Sequence, residues 1–144
     1  MAVDERIAAL IPHAGTMCLL ERIDHWDAIS VVVATTTHRD PANPLASPFG
    51  LRAIHLCEYG AQAMAVHGGL TANARGERAH PGLLVSLRDV TLGCDYVQDL
   101  EGELLVEARR LHESDTAWQY EFRVTNAGKL LAQGRATVSV ASRA

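Results

Sequence analysis

The second half of the chain is built on alternation. From Ala117 to Thr125, Trp118, Tyr120, Phe122 and Val124 fall on one side and Gln119, Glu121 and Arg123 on the other. A period of two belongs to a strand with one buried face. Leu130 to Val140 repeats it, with Ala132, Gly134, Ala136, Val138 and Val140 set against Gln133, Arg135, Thr137 and Ser139. Asn126-Ala127-Gly128 supplies the turn between them. Gly102 to Leu111 predicts another strand through Leu104, Val106 and Ala108, and Leu83 to Leu92 one more. In the first half, apolar Met17 to Ile23 and Val- and Thr-rich Ile29 to Thr37 predict a hairpin that turns at Asp24-His25-Trp26-Asp27.

One stretch departs from this pattern. Residues 51–67 predict a helix rich in Ala, Gly and Cys, with a single acid, Glu58, and an amide, Gln62, one turn later on the same face. A surface helix carries several charges on its outer side. This helix is therefore expected to be buried and to present Glu58 to a site. Gly68-Gly69 is expected to stop it, with a surface loop over 71–81. Upstream, Arg39 to Gly50 holds three prolines and is expected to be a shaped loop. A short helix is predicted over residues 4–10, with Asp4 as N-cap and Ile7 and Leu10 inward, followed by a loop punctuated by Pro12 and Gly15. The order predicts an α+β fold, an antiparallel sheet wrapped around one long helix.

Composition narrows the function classes. A length of 144 residues suits one domain, read as 1–144. No apolar run reaches the roughly 18 residues of a membrane span. The acidic start, Met1 to Arg6, lacks a signal peptide's pattern, so a cytoplasmic location is expected. A net charge of −4 without a basic run, and 5% aromatic residues, argue against a nucleic-acid ligand. Cys18, Cys57 and Cys94 are odd in number and widely spaced, which suits buried free thiols. The seven histidines have no metal-ligand spacing, so no metal is expected. Ser47 and Ser86 lack the context of a serine nucleophile, and His38-Arg39-Asp40 matches a kinase loop in letters only.

Local patches then add a resemblance. Ile11-Pro12-His13-Ala14-Gly15-Thr16-Met17-Cys18-Leu19-Leu20-Glu21-Arg22, the loop from His38 through Pro41 and Pro44 to Gly50, and Glu58-Tyr59-Gly60-Ala61-Gln62 resemble the hot-dog-fold 3-hydroxyacyl-acyl-carrier-protein dehydratases. Asn43-Pro44-Leu45 and the helix Glu58-Tyr59-Gly60-Ala61-Gln62-Ala63-Met64-Ala65-Val66-His67 are most similar to a divergent branch from aryl-polyene-type biosynthetic clusters. The stretch from His38 to Glu58 is several residues longer than in the wider family.

The resemblance implies a site for removing water from a 3-hydroxyacyl thioester to give a trans-2-enoyl thioester. Such a reaction needs a base for the carbon next to the carbonyl, an acid for the leaving hydroxyl, and a donor for the thioester oxygen. His38 is expected as base, because imidazole titrates near working pH. Glu58 is expected as acid, because apolar surroundings help a carboxyl keep its proton. Gln62 is expected in support, with Gly50 at the start of the central helix, whose free N–H groups would meet the oxygen. His55, one turn before Glu58, is the rival base.

The bland readings are a turn residue for His38, an exposed helix acid for Glu58, and packing for Tyr59 and His67. His13 reads as structural. No cofactor is implied, since the phosphopantetheine arm belongs to the substrate. Expected partners are acyl-carrier protein or coenzyme A thioesters, and at least a homodimer, with His38 of one subunit beside Glu58 of the other. Arg52, Arg75, Arg78 and Arg88 are candidates for an acidic carrier protein. Two alternatives stay open: a non-catalytic or half-site subunit of a heteromeric dehydratase, and a hot-dog thioesterase.

Overall fold

The computed structural model describes residues 4–11, 15–77 and 82–140. His13, expected to be structural, lies outside these residues, as does Arg78. Among the described residues two α-helices, α1 (Glu5–Leu10) and α2 (Leu56–Ala74), accompany six strands. The strands are β1 (Arg22–Trp26), β2 (Ser30–Thr35), β3 (Gly82–Leu92), β4 (Leu104–Glu113), β5 (Ala117–Asn126) and β6 (Lys129–Val140). They form one antiparallel sheet in the order β1-β2-β4-β5-β6-β3. The sheet curls around α2, which packs on β2, β4, β5 and β6. This is the hot-dog arrangement expected from the sequence. Among the described residues no helix is long and apolar enough to cross a membrane.

The alternating residues do what their period requires. Leu104, Val106, Ala108, Tyr120, Phe122, Val124, Ala132 and Ala136 are buried against α2 with the rest of the core. A close helix–sheet contact forms at Phe122. Its ring lies between Gly60 of α2 and Gly134 of β6, where an added Cβ would stand 2.6 Å and 2.9 Å from ring atoms. Glycine on both sides lets helix and sheet approach closely.

Several boundaries differ from expectation. The central helix begins with a 3-10 turn at Ala53–His55 and runs to Ala74, not over 51–67. Gly68 and Gly69 do not cap it. They sit inside α2 because a Cβ there would meet the Trp118 ring at 2.7 Å and Leu10 at 2.6 Å. The stop is Gly76 (φ +71°), where Glu77 N–H donates to Ala72 O and Gly76 N–H to Asn73 O, a Schellman closure. Residues 71–74 are therefore helical rather than loop.

The first hairpin is also shifted. Its turn follows Trp26, and Asp27 Oδ1 accepts from the N–H groups of Ile29 and Ser30 at 2.8 Å. Met17 ends a 3-10 turn (Gly15–Met17), and Leu19 and Leu20 are buried outside any strand. Side chains rather than a neighbouring strand satisfy the polar groups of Leu19. β2 ends at Thr35, and Thr37–Arg39 form a 3-10 turn that carries His38. α1 agrees with expectation: Asp4 Oδ1 accepts from Arg6 N–H at 2.9 Å, and Ile7 is buried.

β3 is the exception to the buried-face rule. It lies at a sheet edge, and none of its side chains is buried. Leu83 is 69% exposed, Val85 55% and Leu92 43%. Its apolar sequence predicts a strand correctly, but apart from Val90, which packs partly on the core, its large apolar side chains are left exposed.

Candidate active site

His38 leaves the surface entirely, at 1% exposure. Its Nε2 lies 2.8 Å from the carbonyl oxygen of Leu100. A carbonyl only accepts, so Nε2 carries the proton and Nδ1 holds the free lone pair. Nδ1 is buried and has no hydrogen-bond partner among the described residues. Burial pushes the imidazole below its ordinary value of 6.5, and Arg39 adds to that; the Leu100 carbonyl and the charge of Glu21 work the other way. The result is a neutral histidine with one nitrogen fixed and the other open. His38 does sit on a turn, but its side chain is buried rather than at the surface.

Glu58 stands on the first turn of α2, half-buried. Gln62 lies one turn on and is fully buried. Its Oε1 accepts from Leu19 N–H at 3.0 Å, and its Nε2 donates to Met17 O at 2.7 Å. Those two partners fix which end of the amide is which. Nε2 is also 3.5 Å from Glu58 Oε1, a long contact beside the two short ones. Gln62 thus clamps residues 17–19 onto the face of α2 that carries Glu58.

Leu19 links the two candidate residues. Its N–H goes to Gln62. Its carbonyl accepts from Thr35 Oγ1 at 2.6 Å and Thr37 Oγ1 at 2.7 Å, next to His38. Tyr59 makes a second link. Asn43 Nδ2 donates to Tyr59 OH at 2.9 Å, which leaves the phenol proton for Thr37 Oγ1, also at 2.9 Å. Asn43 further donates to Thr37 O and accepts from Leu45 N–H, so the proline-rich loop is pinned to α2. Burial raises the Tyr59 hydroxyl above its ordinary 10.0, which keeps it a donor.

The other candidates are placed as follows. Gly50 (φ +115°) closes a tight turn with Ser47 and packs under Gln98, before the 3-10 turn rather than at the start of α2. The expectation that helical N–H groups follow directly on Gly50 is corrected on that account. His55 is half-buried in that 3-10 turn. His67 is structural. Its Nε2–H donates to Asp27 O at 3.0 Å, and its Nδ1 accepts from Tyr120 OH at 2.8 Å. Tyr120 in turn accepts from Arg110 Nε at 3.2 Å, and burial pushes its hydroxyl up to about 12.

Cys57 is buried and Cys18 and Cys94 half-buried, all free. Among the described residues no group of three His, Cys, Asp or Glu side chains is placed to hold a metal. Arg52 lies over the Tyr96 ring at 5.6 Å, while Arg75 caps the far end of α2 and pairs with Glu113. A helix of 19 residues separates them by about 28 Å, so these two do not share a patch.

Sequence reasoning passed over Asn43 and Glu21 as functional residues, although both stand in the patches it singled out. Glu21 is 7% exposed, and its carboxyl accepts from Thr36 N–H and, at 2.8 Å, from Thr36 Oγ1.

This geometry offers a buried imidazole with an unpartnered Nδ1, a half-buried carboxyl on a clamped helix face, and hydrogen bonds through Leu19 that reach toward both. The profile of the ApeP-like family, described as ApeP dehydratase, matches residues 5–144. The chain belongs to the ApeP-like dehydratase family. Among solved structures this ApeP-like chain is similar to the dehydratase heterocomplex ApeI:P from Xenorhabdus doucetiae. The identity is 23% and the TM-score 0.84, over 95% of this chain and 91% of that one. It is also similar to a hypothetical thioesterase with coenzyme A from Streptococcus pneumoniae (15%, TM-score 0.63, 85% of this chain and 86% of that one). A mutant thioesterase from Pseudomonas aeruginosa is comparable (16%, TM-score 0.62, 83% and 79%). At these identities the structures speak to the fold, and the family match speaks to dehydratase chemistry. A comparison with curated proteins found no match.

Proposed function

We propose that this ApeP-like dehydratase removes water from a 3-hydroxyacyl thioester held on acyl-carrier protein, or on coenzyme A, to give the trans-2-enoyl thioester. The observation that carries the reading is the unpartnered Nδ1 of buried His38. A buried acceptor without a donor costs about 1–3 kcal/mol, and such a group calls for a functional account. A substrate C–H beside the thioester carbonyl supplies one. His38 Nδ1 takes that proton, and the electron pair forms the Cα–Cβ double bond. The Cβ–O bond breaks, and Glu58 gives its proton to the leaving hydroxyl, which departs as water. His38 then holds the extra proton and Glu58 lacks one; return of a proton from one to the other resets the site. Gln62 steadies the helix face that carries Glu58. No cofactor takes part beyond the substrate's own pantetheine arm, and the setting is cytoplasmic biosynthesis of fatty-acid or polyene-like chains.

The working unit in this reading is an assembly. The uncovered apolar edge strand β3 supports it, because an unpaired edge with exposed Leu and Val side chains invites another chain. His38 of one subunit would then serve Glu58 of the other. The partner is either a second copy or a second dehydratase-like subunit; the similar heterocomplex supports the latter. Purified chain with a 3-hydroxyacyl-carrier substrate, alone and with such a subunit, tests this. Enoyl product from the chain alone supports self-sufficient catalysis, and product only after addition supports the half-site reading. Release of free acid instead of enoyl product sinks both in favour of a thioesterase.

A further inference from the structure

Glu21 takes no part in the chemistry above, yet it is a nearly buried acid at the root of the segment that delivers His38. Its main chain joins three elements: its N–H donates to Ala34 O of β2 at 3.2 Å, and its carbonyl accepts from Asp4 N–H at the cap of α1 at 2.7 Å. Its Oε1 accepts from Thr36 N–H and, at 2.8 Å, from Thr36 Oγ1. Thr36 is the N-cap residue of the 3-10 turn Thr37–Arg39, but its hydroxyl makes no capping bond there. Both Thr36 donors are spent on Glu21, while Thr36 O accepts from Arg39 N–H at 3.0 Å to close the turn. The path from Glu21 to His38 is thus one doubly hydrogen-bonded contact with Thr36 and two residues of chain.

We propose that Glu21 is a positioning residue for His38, clamping the start of its turn through both Thr36 donors and acting on the imidazole through its carboxyl group. The proposal rests on the reading of His38 as base. Three charged or polar groups act on that ring besides burial: the Leu100 carbonyl, Arg39 and Glu21. Arg39 is exposed on the same turn, whereas Glu21 is buried on the neighbouring segment. Of the two charges, Glu21 is the one that favours proton uptake by His38. An opposite charge nearby makes proton uptake by a base sheltered from water easier.

Glu21→Gln separates the clamp from the charge. The amide oxygen still accepts from Thr36, but the charge is gone. In the full-length protein, with its partner subunit where activity needs one, the His38 ring-proton titration by NMR is compared between wild type and Glu21→Gln. His38→Asn assigns the resonance. The expected result is a downward displacement of at least ~0.3 pH unit, a ~2-fold change in proton affinity. The acid limb of kcat/KM should move by the same amount. A ring titration that moves while the rate profile stays put keeps Glu21 as the partner of His38 and removes His38 as the base. A ring titration unchanged in a folded Glu21→Gln protein overturns the proposal, whatever happens to stability.

Discussion

Replacing Gln62 with Met keeps the volume of the side chain and removes its amide, and the cost follows from the two short hydrogen bonds it makes. Leu19 has no solvent exposure, so its N–H loses its acceptor and gains no water. A stranded buried donor costs about 1–3 kcal/mol. Met17 lies in a half-buried segment where its carbonyl can turn to water, so that bond is worth only its net value, about 1 kcal/mol. The sum is about 2–4 kcal/mol, which for a domain of this size lowers the melting temperature by roughly 5–15 °C. Gln62→Glu restores an acceptor for Leu19 but sets a second oxygen against the Met17 carbonyl and Glu58, so it does not rescue at neutral pH. Urea denaturation with an unchanged m-value measures the loss. A Gln62→Met protein within about 0.5 kcal/mol of wild type would refute the clamp, and with it the fixed placement of Glu58.

Burial holds His38 and His67 below the ordinary 6.5. The unfolded chain therefore takes up protons first as pH falls through 6.5, so this contribution is present above that pH and is lost as pH drops through the folded-state values. Urea melts from about pH 8 down to about pH 5 check the sign, and His38→Asn should flatten part of the slope; stability that rises on acidification contradicts it. Gly60→Ala sets overpacking of about 1–3 kcal/mol against a helix-propensity gain of about 1. Phe122 is fully buried with Gly134 on its other side, so it cannot yield, and thermal melts should show net destabilisation rather than gain. A charge on the outer strand, Val85→Lys, should shift sedimentation toward monomer while helical circular dichroism stays intact; an unchanged assembly argues that β3 is not its interface.

Short-range patterns carried much of the fold into the sequence. β4, β5 and β6 were readable because one face of each is buried and the period of two holds over 104–108, 120–124 and 132–136. Helix ends were less so. Gly68-Gly69 has the composition of a stop, but those glycines serve contacts with Trp118 and Leu10, partners 50 residues downstream and 59 upstream. Gly76, the real cap, has a positive φ and nothing packed upon it. The site was legible as residue types and not as geometry. The Glu58–Gln62 spacing is local, so their shared face was predictable. The Leu100 carbonyl that sets the His38 tautomer is 62 residues away in sequence, and the Gln62 clamp spans 43. No periodicity reports such pairings. The same holds for β3, whose apolar residues look like core in the sequence and prove to be uncovered.

The claim on which the account turns is that His38 Nδ1 removes the substrate proton. The direct measurement is formation of the enoyl thioester by the complete assembly, followed by mass spectrometry, for wild type, His38→Asn and Glu58→Gln. The account predicts that each variant loses about 100-fold or more in kcat with its melting curve preserved. A His38→Asn protein that forms enoyl product within a few-fold of the wild-type rate would contradict it.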